Sequence, residues 1–323
     1  MERKVIVELN NKPLVSVPVI TYNSSKFVLE TLESIKAQTY QNIELIISDD
    51  CSTDNTVELC RKWVEENKER FVRTQIITSE QNTGVSANLN RAEDACHGDW
   101  VKGIAGDDLL TPNCIEDFLM YVQQNPDHYF LFGNIEGINE NGESISNCLD
   151  KFLDKSFFDL TAVEQYERLV MKGNCIAAPT FFYNHSMKKQ LGIRNDETIP
   201  LCEDYPKWIQ ITSKCQKLYL LDKCVVKYRI HSTSVSNKDD SVSFKRSQAL
   251  VYLKYRYQYQ LSETPIRAFF CYLCVKRFLT NKNYYSIPIF LYRVMNRIYR
   301  SISSCNLIDM KFHSYFKSER HIL

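Results

Sequence analysis

Glycine is scarce in this chain, with nine in 323 residues. Neither G-x-G-x-x-G nor G-x-x-x-x-G-K-[ST] occurs, so the two common backbone cradles for phosphate are excluded. Long apolar runs are missing as well: no stretch reaches the roughly 18 uncharged residues that a membrane-spanning helix needs. The twelve cysteines are scattered without paired spacing, Cys271 and Cys274 excepted, and the N-terminus lacks the basic-then-apolar pattern of a secretory signal. A disulfide framework is not indicated, and a reducing cytoplasm is the expected setting. Cys271 and Cys274 sit in an aromatic helical stretch with no partner cluster and read as buried or lipid-facing thiols.

What is present is a 44% hydrophobic composition, enough to bury a large core. The net charge of +1 hides an asymmetry. Residues 1–244 carry 26 Lys/Arg against 36 Asp/Glu, and residues 245–323 carry 14 against 3. An acidic body and a basic tail are implied, divided as a domain over 1–240 and a helical region over 241–323.

Along the body, strand-like and helix-like segments alternate. Leu14 to Ile20 is an apolar run ending in Thr21-Tyr22-Asn23, and a helical pattern follows over Val28 to Gln38. Ile43 to Ser48 ends in Asp49-Asp50, with Thr53 placed to cap a helix through Lys68. Arg73 to Thr78, Val85 to Cys96 and Val101 to Ile104 continue the alternation, the last run ending in Gly106-Asp107-Asp108. Such alternation predicts an α/β fold with a mostly parallel central sheet flanked by helices. Ligands of open parallel sheets bind beyond the carboxyl ends of the strands, where these polar tips converge. Without a glycine-rich loop, a divalent cation on Asp107 and Asp108 is one way to hold a phosphate. Tyr22 offers a stacking face to a base, and Asp50 an acceptor for its N–H.

Thr21-Tyr22-Asn23, Gln38-Thr39-Tyr40, Ile46 to Asp54, Asn82-Thr83-Gly84-Val85-Ser86, Asn90, Gly98-Asp99-Trp100, Gly106-Asp107-Asp108, Glu203-Asp204-Tyr205 and Tyr228-Arg229-Ile230-His231 follow one another in a fixed order. The ordered set resembles the family 2 glycosyltransferases with the GT-A nucleotide-diphospho-sugar transferase fold, over roughly residues 14 to 235. The resemblance implies a nucleotide-sugar donor, usually a UDP-sugar, with Mn²⁺ or Mg²⁺ bridging its diphosphate, and inverting transfer to an acceptor hydroxyl. It implies Tyr22 against the base, with Thr21 and Asn23 beside it, and Asp50 on the base N–H. Asp107 is placed near the ribose or a metal-bound water and Asp108 on the metal, while Asn82 and Gly84 sit in the loop over the donor. His231 is implied in the metal shell or on the diphosphate, and Arg229 and Ser234 as further diphosphate partners. By the same resemblance Asp204 is the general base, with Glu203 orienting it or touching a substrate. Two positions depart from the family pattern: Ile20 stands where proline is usual, and Ala105 where a further Asp is common.

The family resemblance fades between Asp108 and Glu203, where the acceptor would be chosen. Phe152, Phe157 and Phe158 read better as core than as a groove. Phe269 to Phe278 and Ile287 to Ile298 form basic, aromatic-rich helical patterns. These suit an anionic membrane surface or a cap on the acidic body; no nucleic-acid module accompanies the charge. A membrane-surface position would suit a lipid-linked acceptor, such as an undecaprenyl-diphosphate-linked saccharide of capsule or O-antigen, at the inner face of the plasma membrane. The alternative is a catalytically silent member that binds a nucleotide-sugar or scaffolds glycan assembly.

Overall fold

In the computed structural model, which describes residues 12–145, 153–231 and 242–280, the first apolar run forms β1 (Val15–Thr21). Every residue of it but Ile20 is buried, as is all of β2 (Ile43–Asp49). A strand buried on both faces needs a layer on each side, which helical crossovers provide. Three do so here: α1 (Val28–Lys36), α2 (Thr56–Asn67) and α3 (Val85–Asp94) alternate with β1, β2 and β3 (Arg73–Thr78). On α1 the buried stripe Val28, Thr31, Leu32 and Ile35 has the i, i+3, i+4, i+7 spacing of one helix face. β1 pairs in parallel with β2, from Val15 opposite Ile43 to Thr21 opposite Asp49, and β2 pairs in parallel with β3.

Two local expectations are corrected. Thr53 does not cap α2, because the helix starts at Thr56, whose amide is taken by Asp54 Oδ1 at 3.0 Å. The Thr53 amide goes instead to Asn23 Oδ1 at 2.8 Å. The run leading to Asp107 is also broken, into β4 (Trp100–Val101) and β5 (Ile104–Ala105), both parallel to β1. Between them Lys102 is fully buried and donates to the carbonyls of Gly103 and Pro179 at 2.8 and 2.7 Å. A buried ammonium must find acceptors, and these two lie off the ladder.

The sheet is completed by β6 (Leu109–Leu110), β7 (Phe130–Ile138), β8 (Phe182–Asn184) and β9 (Tyr219–Arg229). The helices of this part are α4 (Cys114–Gln124), α5 (Ala162–Lys172), α6 (His185–Gln190) and α7 (Asp204–Ser213). Strand order is β3-β2-β1-β4-β8-β7-β9-β6, with β5 beside β1. β8 runs antiparallel to β4 and β7, β6 antiparallel to β9, and β7 parallel to β9. At Gly133 a Cβ would collide with Val225, so only glycine lets β7 and β9 approach there. Phe157 and Phe158 are buried, Phe158 lying 5.8 Å from Phe132, so both belong to the core.

The chain divides into two compact units, residues 1–166 with 174–237, and residues 167–173 with 238–323. The second contains α8 (Val242–Val251), a π-helical turn over Tyr252–Arg256, α9 (Tyr257–Glu263) and α10 (Pro265–Thr280). In it Arg256 and Gln260 donate to the open carbonyl of Val170 at the end of α5, each at 2.7 Å. Among the described residues no helix is long and apolar enough to cross a membrane. Phe152, Ser234 and the helical pattern expected over Ile287 to Ile298 lie outside the described residues.

Candidate active site

The carboxyl ends of β1, β2 and β5 carry the polar tips. Thr21 is buried and donates from Oγ1 to Asp49 Oδ2 at 2.7 Å, which ties the two strand ends together. Asn23 takes φ +50°, a conformation Asn tolerates, and receives the Thr53 amide on its side chain. These two bonds leave Tyr22 half exposed, with its ring at the surface between them. Asp50 is buried and accepts from the Thr83 amide at 2.9 Å, the Thr83 hydroxyl at 2.6 Å, the Gly84 amide at 2.7 Å and Arg91 at 3.3 Å. Gly84, at φ +86°, opens α3, and its amide also donates to Asn82 Oδ1 at 3.1 Å. Asp50 thus anchors the loop expected to lie over a donor.

Beyond β5, Asp108 is buried, and Asp107 stands beside it, partly exposed. Burial, followed by the adjacent Asp107 charge, pushes the Asp108 carboxyl well above the usual range. Its Oδ1 accepts the Arg229 amide at 2.9 Å, which brings the end of β9 against the acidic turn. Next in β9, the Arg229 guanidinium is wholly occupied within the protein. Nε donates to Asp107 O at 2.9 Å, Nη1 to the carbonyls of Asn139 and Glu140, and Nη2 to Glu30 at 2.7 Å. Its cation also rests 4.6 Å from the Phe27 ring centre. With its side chain buried and every edge used, Arg229 is not placed to bind a diphosphate; it holds the turn that carries the aspartates. His231 lies 2.9 Å from Asp107 Oδ2 through Nε2 and packs on Phe27, so it reaches the same cluster.

The second acidic pair opens α7. Glu203 and Asp204 are half-buried, and Asp204 Oδ2 accepts from Asn174 Nδ2 at 2.8 Å. Burial raises the Asp204 carboxyl, and burial together with the Asp204 charge pushes Glu203 up to about 7. Although 95 residues of chain separate Asp108 from Glu203, Asp108, Glu203 and Asp204 line one cavity of about 120 Å³. A group whose folded pKa is raised stabilises the fold below its unfolded pKa, and that contribution is lost as pH rises through the folded value. Glu203→Gln is therefore expected to stabilise the protein by about 1–3 kcal/mol at pH 8, and by nothing below about pH 4.5. Chemical denaturation at the two pH values measures this; an equal effect at both would refute the assigned charge.

Several members of the site carried no sequence signal of their own. Arg91 reaches Asp50 from the second turn of α3, Glu30 reaches Arg229 from α1, and Asn174 reaches Asp204 from the chain before β8. Each is a polar residue on an ordinary surface pattern until the fold supplies its partner.

A mostly parallel, helix-flanked sheet with acidic turns at its carboxyl edge is the GT-A fold of the nucleotide-diphospho-sugar transferases. The model of glycosyl transferase family 2 matches residues 16–178, and the chain belongs to that family and is a glycosyltransferase. An uncharacterized glycosyltransferase of Methanocaldococcus jannaschii is 27% identical over 241 residues, spanning 74% of this chain and 77% of the relative. TuaG of Bacillus subtilis, named for teichuronic acid biosynthesis, is 25% identical over 71% of this chain and 83% of its own. Among solved structures, residues 1–349 of S. aureus TarS in complex with UDP-GlcNAc match with a TM-score of 0.57 and 22% identity, over 75% of this chain and 67% of that one.

Proposed function

We propose that the protein transfers a sugar, with inversion, from a UDP-sugar to an acceptor hydroxyl on a growing, lipid-linked surface polysaccharide. The observation that carries this reading is the single cavity shared by Asp108 and the Glu203–Asp204 pair. Displacement at an anomeric carbon needs two things on opposite faces: charge stabilisation for the leaving diphosphate and a base for the incoming hydroxyl. Asp107 and Asp108 serve the first and Asp204 the second.

The donor set fits a hard divalent cation. Among the described residues no three of His, Cys, Asp and Glu stand together as a ready cage. Mn²⁺ and Mg²⁺ do not require one, since two carboxylates plus diphosphate oxygens and water suffice. Asp108, whose ionised form is disfavoured by burial and by Asp107, is the carboxylate that a cation would favour most. Asp107 would share it, and His231 orients Asp107. Held by Asp108 and Asp107, such a cation would supply charge neutralisation for a departing diphosphate. Within the protein, Tyr22 stacks on the base, Asp50 holds the 82–84 loop beside it, and Asp204 takes the acceptor proton while Asn174 fixes its carboxylate.

The UDP-GlcNAc complex of TarS and the polysaccharide-linked name of TuaG support the donor and product classes. The excess of basic residues after Lys245, and Phe269 and Leu273 exposed one turn apart on α10, support contact with an anionic membrane at the cytoplasmic face. Calorimetry of UDP with and without Mn²⁺, with GDP and ADP as controls, tests the reading. Selective, Mn²⁺-dependent UDP binding is the expected result. Equal affinity for all three diphosphates, or none for any, would remove the UDP-sugar assignment.

A further inference from the structure

The cavity shared by Asp108 and the Glu203–Asp204 pair also holds a cation. Lys207 lines it and is 6% exposed, yet its ammonium makes no hydrogen bond or ion pair among the described residues. It rests instead on two rings, with Nζ 5.6 Å from the centre of Phe181 and 5.4 Å from that of Trp208. The rings stand edge to face at 4.6 Å, and Trp208 is also edge-on to Phe132 at 4.8 Å, which fixes the surface that carries the charge. Aromatic faces attract a cation without using up the oxygen of a carboxylate.

Lys207 follows Glu203 by four residues and Asp204 by three at the start of α7, the spacing that puts side chains on one helix face. The other charged groups at the cavity have partners of their own. On α3, Glu93 is ion-paired with the buried Lys188 of α6, and Tyr183 of β8 is kept neutral because burial pushes its phenol up. Asp108 has Lys102 and Arg229 acting on its charge. Lys207 is left to act on the acidic pair. Burial raises both carboxyls, Glu203 to about 7, and the Lys207 charge opposes the rise in each. With Glu203 protonated and Asp204 ionised, one positive charge answers one negative. A direct ion pair would achieve the same balance but would cover an oxygen that has to receive a proton.

We propose that Lys207 is a positioning residue for the transfer step: held off the carboxylates by Phe181 and Trp208, its ammonium supplies the positive field in which Asp204 works as a base, without occupying either carboxylate oxygen. This role rests on the reading of Asp204 as the base and adds to it a residue one helical turn away.

The test follows kcat/KM against pH for release of UDP from UDP-glucose and UDP-GlcNAc, beside calorimetric UDP binding. It compares the native protein with Lys207→Met, which keeps an unbranched chain over the rings without the charge, and Lys207→Arg, which keeps the charge. Removing the cation favours the protonated base, so Lys207→Met is expected to move the acid limb about one unit toward higher pH, the scale of one nearby charge. On that limb activity falls about tenfold, and at higher pH it returns to the native plateau. Lys207→Arg is expected to keep the native limb, and UDP affinity should not change in either variant. If Lys207→Met folds poorly, Lys207→Leu, also neutral, gives the same comparison. An unmoved limb, a loss of equal size at every pH, or the same displacement in Lys207→Arg overturns the role of Lys207. The transferase reading still stands in those cases if Asp204→Asn abolishes UDP release. No release of UDP by the native protein overturns that reading and the role together.

Discussion

Asp204→Asn is expected to lower turnover by about 10²–10⁴-fold, the usual worth of a positioned general base, with UDP affinity unchanged. Release of UDP from the donor, measured beside calorimetric binding, separates the two effects. The substitution is close to isosteric, and its amide oxygen can still accept from Asn174, so the geometry at the start of α7 is retained. What is lost is the lone pair that takes the acceptor proton. The neighbouring Glu203 supplies a check on the assignment. Its carboxyl is held near 7 partly by the Asp204 charge, so Asp204→Asn moves it toward the ordinary range. If Glu203 were the base, the variant would stay active with its pH profile shifted to lower pH. Such a shift without a loss of rate would exchange the roles of the two carboxylates.

The second large effect is expected at Asp108. Asp108→Asn keeps an oxygen to accept the Arg229 amide but removes the charge. Transfer should fall about 10³-fold, corresponding to the several kcal/mol that charge stabilisation at a leaving group supplies. UDP binding should lose its response to Mn²⁺. Stability should move the other way: the Asp108 carboxyl is raised well above the usual range, so its ionisation at neutral pH disfavours the fold, and a neutral amide relieves that. A variant with a higher melting temperature and no Mn²⁺-dependent UDP binding is the signature of a site whose chemistry opposes stability. Retained Mn²⁺ dependence would move the metal assignment away from this turn.

The first half of the fold was legible because its information is local. β1, β2 and β3 are apolar runs separated by helical patterns, and parallel pairing follows from the crossovers. The acidic turns were legible as carboxylates at strand ends, where an open sheet gathers its ligands. Other features depend on contacts that no pattern announces. Lys102 breaks a strand because the carbonyl of Pro179 is brought to its ammonium. Arg229 resembles a diphosphate ligand in sequence, yet its partners are three backbone carbonyls and Glu30, fixed only by the complete fold. Trp208 reads as one apolar position of a helix, and only its surroundings show that its N–H has no acceptor among the described residues.

The bonds made by Arg229 reach across 121, 122 and 199 residues of chain, to Asp108, Asp107 and Glu30. Closing such long loops costs entropy that neighbouring strands and helices do not incur, so these contacts belong to the late part of folding. A nascent chain that has formed β1 to β3 can already hold the Asp50 loop, while its acidic turn still lacks the residue that shapes it. The acidic turn is therefore completed only by the last strand of the sheet, so the two ends of the site are built from early and late parts of the chain.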